Sequence, residues 1–168
     1  MPEPMTARGH IGESAGGNLR RAGFAIAPVA GAAGLGGLAS RSAPAVYGRL
    51  SKPRWAPPGS AFGPVWSALY VANAIAGWRI HDIASSRTRR LHLIQLAFNA
   101  AWPAAFFGIR DKRLSLAIIA ALDLSVALEV TRLSQEDRPS AVLLAPYLAW
   151  CAFATALNAA VSEPDAHH

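Results

Sequence analysis

The sequence predicts an all-α membrane protein, a bundle of five transmembrane helices. Three observations carry that expectation. Only 15% of the 168 residues are charged, 52% are hydrophobic, and mean hydropathy is +0.25; soluble domains average about 25% charged. The charges are clustered, which leaves long stretches with few or none. Those stretches approach the roughly 20 apolar residues that cross a bilayer as a helix. The expected spans are 23–39, 62–80, 91–109, 114–133 and 141–161. The connections after the first are short, so consecutive helices are expected to be antiparallel neighbours within one domain.

Taken in order, residues 1–22 mix Pro, Gly, Ser and charges without periodicity and read as a disordered tail. The first span is short and rich in Gly and Ala. Arg20 and Arg21 precede it, so a signal peptide is the competing reading. Against that, Ala27 and Gly31, Ala30 and Gly34, and Ala33 and Gly37 place small residues at four-residue spacing, as closely packed membrane helices do. The next connection ends in LSKPRWAPPGSAFGPVW, residues 50–66. Pro57 and Pro58 lack N–H donors and stiffen this Trp-bearing basic loop before the second span starts. The fourth span holds Asp123 and Glu129. Ionisable groups at membrane depth are costly. Asp123, near mid-bilayer, is expected to be protonated or paired with a polar group such as Ser125 or an amide on another helix; Glu129 is expected to reach the interface beside Arg132. Residues 162–168 form a short C-terminal tail.

The formal charge of +6 and the pI near 10.4 need no nucleic acid to explain them, because Lys and Arg flank the spans and no readout element accompanies them. Orientation is undecided: nine arginines lie on the side of the tail and seven basic residues on the other. Cys151 is alone, which excludes an intrachain disulfide or thiolate cluster. The five histidines show no metal-ligand spacing, so no metal site is expected, and His81 and His92 are expected in the interface.

Polar and aromatic side chains form stripes. Trp66, Tyr70, Asn73 and Gly77 share one face of the second span, Gln95, Asn99, Trp102 and Phe106 one face of the third, and Pro146, Trp150, Ala154 and Leu157 or Asn158 one face of the fifth. Unpaired amides are expensive in hydrocarbon, so the stripes should converge inside the bundle. Such residues also serve as packing and as interface anchors. An apolar cavity with aromatic walls and a few polar groups would suit a small molecule.

KPRWAPPGSAFGPVWSALY (52–70), QLAFNAAWPAAFF (95–107) and PYLAWCAFATALN (146–158) resemble the TspO/MBR family, the tryptophan-rich sensory proteins and translocator proteins. The resemblance runs over residues 23–161. It implies a five-helix bundle, often homodimeric, that binds porphyrins such as protoporphyrin IX and other hydrophobic ligands. It also implies a role in tetrapyrrole regulation and stress response, and a bacterial membrane for this chain. By resemblance, Tyr47, Trp66, Gln95, Trp150 and Ala154 fall at pocket positions, with Asn99, Trp102, Phe106 and Tyr147 nearby. A porphyrin is a flat ring with two carboxylates. Trp55 would stack on such a ring, and Arg49, Lys52 and Arg54 would meet the propionates. Porphyrin is then a ligand, or the substrate of a light- and oxygen-dependent degrading enzyme with Trp66 and Trp150 as its photochemical residues; no covalent cofactor is expected. A transporter is disfavoured, since no inverted repeat is evident. Ala97, Ala101 and Ala105, or Ala100, Ala104 and Gly108, offer a dimer ridge on the third helix. The sterol-recognition pattern of animal relatives is absent from the C-terminal end.

Overall fold

The computed structural model describes residues 9–162. The described residues form six α-helices: α1 (Gly9–Ala39), α2 (Ala43–Arg49), α3 (Phe62–Ile83), α4 (Ser86–Pro103), α5 (Lys112–Glu136) and α6 (Arg138–Ala160). No strand occurs among the described residues; Ser51 and Ser162 form one isolated antiparallel bridge. The expectation was five membrane spans; five of these helices are long, and the sixth is short. The additional helix, α2, has seven residues and begins on Pro44, so it is too short to show as an apolar span.

Among the described residues, three helices are long and apolar enough to cross a membrane on composition alone: α1 over Gly16–Ala39, α5 and α6. Five were expected. The other two are more polar: α4 carries Arg87, Arg89 and Arg90 beside His92, Gln95 and Asn99, and α3 carries Asn73, Arg79, His81 and Asp82. α1 also starts fourteen residues before the expected span, so residues 9–22 are helical rather than an unstructured tail. Its early turns are anchored. The Arg21 guanidinium donates to the Trp78 carbonyl at 2.7 Å, pairs with Asp82 at 3.3 Å and lies 4.7 Å from the Trp78 ring. Residues 1–8 and 163–168 lie outside the described residues.

Local signals set the boundaries. The Ser85 hydroxyl accepts from the Thr88 amide and starts α4, while the Asp111 carboxylate accepts from the Arg113 and Leu114 amides and starts α5. Pro103 cannot donate to the Asn99 carbonyl, and the chain widens into a π-helical segment over Ala104–Ile109. Arg110, at φ 59°, closes it in the left-handed region.

The long helices close a ring in which α1 packs on α3 and α4, α4 on α5, α5 on α6, and α6 on α3. Consecutive helices were expected to be neighbours throughout, but α3 and α4 share little contact. Small residues of α1 occupy that place instead. Ala25, Val29 and Ala32 are buried there, and α1 presses so close that a Cβ on Gly77 would meet the Ala25 Cα at 3.1 Å. The main apolar core, with Ile80, Ile119, Leu122, Leu133 and Leu144, lies between α3, α5 and α6.

Glu129 and His92, both expected at the interface, lie elsewhere. Glu129 is wholly buried against His92, not at the interface, and His92 is in the core with it. Asp123 has a polar partner on another helix, as expected: it accepts from Thr155 of α6 at 2.7 Å, while Ser125 bonds its own helix at the Ala121 carbonyl.

Asp137 joins α5 to α6. Arg79 of α3 donates to both of its carboxylate oxygens, at 3.0 and 2.9 Å, and Ser140 donates as well. These hydrogen bonds hold the Asp137 carboxyl below its ordinary value. A depressed folded value stabilises the fold above the ordinary carboxylate range, about pH 4. That contribution disappears as pH falls through the folded value. Thermal unfolding in detergent should therefore show an acid loss of stability that Asp137→Asn reduces.

Candidate ligand cavity

The ring of helices leaves a cavity of about 1020 Å³ at one end of the bundle. Its lower wall uses the small residues of α1: Ala33, Gly36, Gly37 and Ser40. A Cβ on Gly36 would stand in ordinary contact with Pro103 and the Tyr70 hydroxyl, 3.6 Å from each. α3 contributes Phe62, Trp66 and Tyr70; α4 and the π segment contribute Asn99, Trp102, Phe106 and Phe107; α6 contributes Ala154, Leu157 and Asn158. The roof is the loop 52–60 with Pro57 and Pro58, the segment whose stiffness is legible in the sequence.

The roof is tied down on both sides. The Tyr47 hydroxyl donates to the Pro57 carbonyl at 2.8 Å; burial pushes its ionisation upward, which keeps it a donor. Lys52 donates to the Tyr47 and Leu50 carbonyls, at 2.7 and 2.9 Å, and its ammonium lies 5.0 Å from the Tyr47 ring. Ser51 and Ser162 exchange backbone bonds of 2.9 and 3.2 Å, joining the start of the loop to the end of α6.

Of the expected site residues, Tyr47, Lys52, Trp66, Asn99, Trp102, Phe106 and Ala154 lie in the wall. Gln95, Tyr147, Trp150, Trp55, Arg49 and Arg54 do not. Trp150 stands behind Phe62, ring centroids 5.9 Å apart, and leans on Phe153. Trp55 is half exposed and meets Phe153 from outside. Arg49 and Arg54 are exposed, and the Lys52 ammonium is occupied by loop carbonyls. Phe106 and Phe107 both reach the wall, although one regular α-helical face holds only one of them. The π segment after Pro103 turns the second ring inward, and Pro103 is the signal that marks it.

Gln95 and Tyr147 belong to a hydrogen-bonded chain behind the wall. Tyr70 donates to Asn99 at 2.9 Å, Asn99 to Tyr147 at 3.0 Å, Tyr147 to Gln95 at 2.8 Å, and Gln95 to Asn73 at 2.8 Å. Asn73 ends the chain on the Leu69 carbonyl at 3.0 Å. Every donor points the same way along the chain. Chemically the wall offers ring faces, apolar surface and a few neutral polar atoms. Among the described residues, no cluster of three His, Cys, Asp or Glu side chains is placed to hold a metal.

An all-α membrane protein with an internal aromatic cavity under a proline-stiffened roof is the class that this geometry defines. The TspO/MBR family model matches residues 24–163, and the chain belongs to that family. It is 35% identical over 113 residues to a tryptophan-rich sensory protein of Cereibacter sphaeroides, covering 67% of this chain and 72% of that one. It is 36% identical over 118 residues to the translocator protein of Homo sapiens, covering 67% and 70%. Protein CrtK of Rhodobacter capsulatus is 31% identical over 120 residues, covering 68% and 75%. Relatives thus come from bacteria and mammals, and membership alone assigns no bacterial host.

Tyr147→Phe removes the hydroxyl that links Asn99 to Gln95. It should destabilise the fold by about 1 kcal/mol, the scale of an interhelical hydrogen bond with its partners left buried. A lowered unfolding temperature in detergent, with the helical circular dichroism unchanged, is the expected readout.

Proposed function

We propose that this protein is a multi-pass membrane receptor or sensor in which all five long helices cross the bilayer and the cavity takes a flat hydrophobic ligand of the porphyrin type. The cavity carries this reading: about 1020 Å³, walled by Trp66, Tyr70, Trp102 and Phe106. That volume stands at the upper end of small-molecule sites. The sensory role is supported by the name of the Cereibacter relative, a tryptophan-rich sensory protein. Propionates would project toward the rim, where Arg49 and Arg54 are exposed. A homodimer through α4 would use Ala97 and Ala101 of one expected ridge and Ala104 and Gly108 of the other, which are exposed; Ala105 is buried and Ala100 half-buried, so neither ridge is presented whole.

A second reading has one observation behind it. Phe62 in the wall and Trp150 behind it form a short aromatic path leading away from the ligand, with Trp66 also in the wall. A light-driven, oxygen-dependent breakdown of the porphyrin would use such a path, with the ring's own photochemistry supplying the reactivity.

The test is a titration of the purified protein with protoporphyrin IX in the dark, followed by tryptophan fluorescence. Saturable quenching is expected. Trp66→Ala should weaken it about tenfold, the value of one aromatic stacking contact, and Trp55→Ala should leave it unchanged. Protein-dependent bleaching under light, slowed in Trp66→Phe and Trp150→Phe, would favour the enzyme. Absence of saturable quenching removes porphyrin as the ligand.

A further inference from the structure

One polar contact at the opposite end of the bundle takes no part in the cavity. His92 of α4 and Glu129 of α5 are both fully buried, with Nδ1 2.8 Å from Oε1. Each keeps one buried atom without a partner: His92 Nε2 and Glu129 Oε2. Nε2 faces the crossing of α1 and α3. A Cβ on Gly77 would lie 3.1 Å from it and 3.1 Å from the Ala25 Cα, so no water fits between them. The Phe24 ring covers the imidazole at 5.9 Å.

With one proton shared, the pair is neutral, either as imidazolium and carboxylate or as imidazole and carboxylic acid. A second proton leaves a net cation in a dry apolar site, a state that needs solvent or a counter-charge. The surrounding charges are already engaged. On α1, Arg21 holds Asp82 and the Trp78 carbonyl. On α3, His81 lies across the Phe24 ring at 5.5 Å and bonds Asp82. On α4, Arg89 donates to the His81 and Ala84 carbonyls. On α5, Glu136 accepts from Ser85, and Arg132 stands a turn beyond the pair without bonding it.

We propose that His92 and Glu129 form an intramembrane proton-binding site whose second proton is accommodated by unseating the N-terminal half of α1. The same helix lines the cavity with its C-terminal half, through Ala33, Gly36 and Gly37. Between the two halves stands Pro28, which cannot donate to the Phe24 carbonyl and so weakens the helix there. Proton binding at one end and ligand binding at the other are therefore linked through α1. This linkage, unlike the proton site, rests on the cavity being the ligand site.

Hydrogen exchange of the α1 amides around Ala25, in the full chain in detergent, tests the proton site. After correction for intrinsic exchange, opening should increase on acidification by about tenfold per pH unit, the slope for one proton. The step should vanish in His92→Leu/Glu129→Leu, which replaces the pair by apolar side chains. An unchanged step there assigns the effect to His81, Asp82 or Glu136 and overturns the proposal. If that variant does not fold, ring-¹⁵N NMR of His92 in the wild type decides: titration together with α1 opening supports the site, and a ring that does not titrate over that range overturns it. Protoporphyrin IX affinity should then fall on acidification in the wild type only. Equal pH profiles in the two proteins overturn the linkage. Complete absence of porphyrin binding strikes the proposed ligand and leaves the exchange result standing.

Discussion

A helix packed inside an apolar bundle has to find partners for its buried polar side chains, and α4 turns four of them to one side. Thr88, His92, Gln95 and Asn99 follow one another at helical spacing and are all buried. In hydrocarbon each would cost several kcal/mol without a partner. Each partner comes from a different place in the chain: Ser85 at the helix start, Glu129 on α5, Asn73 on α3, and Tyr70 and Tyr147 on α3 and α6. The requirement to satisfy this row brings α3, α5 and α6 around α4 in one register. Apolar packing between membrane helices is less selective, because lipid tails are as apolar as Leu.

The cavity follows from that arrangement together with the composition of α1. Helices carrying Ala and Gly approach closely, and α1 does so against Gly77. At the other end its glycines face the open space between Trp66, Trp102 and Phe106. Small side chains thus close the bundle at one end and leave room at the other. The hydrogen-bonded chain from Tyr70 to Asn73 backs the wall, so the rings in front of it are held by directional bonds as well as by contact. The roof has few apolar contacts of its own. It depends on Tyr47, Lys52 and the Ser51–Ser162 bridge. The Lys52 charge is spent on carbonyls at the end of α2, a favourable place for a cation, rather than turned toward a ligand.

The stripes on the second, third and fifth spans, the rigid roof and the membrane character could all be read from the chain, because spacing determines which residues share a helix face and proline removes donors wherever it stands. The stripe on α3 was read together with Tyr70, which does line the wall. Spacing does not say how far each face rotates toward its neighbours. Gln95 and Asn99 belong to one stripe, yet Asn99 reaches the wall and Gln95 stays behind it in the network. Trp150 and Ala154 share a face of α6, but Phe62 comes between Trp150 and the cavity. The early start of α1 was hidden because residues 9–22 show no periodicity; Arg21 finds its partners only in α3, 57 and 61 positions away.

Taken alone, then, the amino-acid sequence determined an all-α membrane chain, its aromatic stripes and its stiff loop, since these arise from local chemistry and helical period. Tertiary structure decided which stripe residues open onto the cavity, that the loop cations lie outside the wall or serve the roof, and that His92 meets Glu129 across 37 residues. Those outcomes depend on the rotation and crossing of helices. They are set by partners distant in sequence, and no local pattern encodes them.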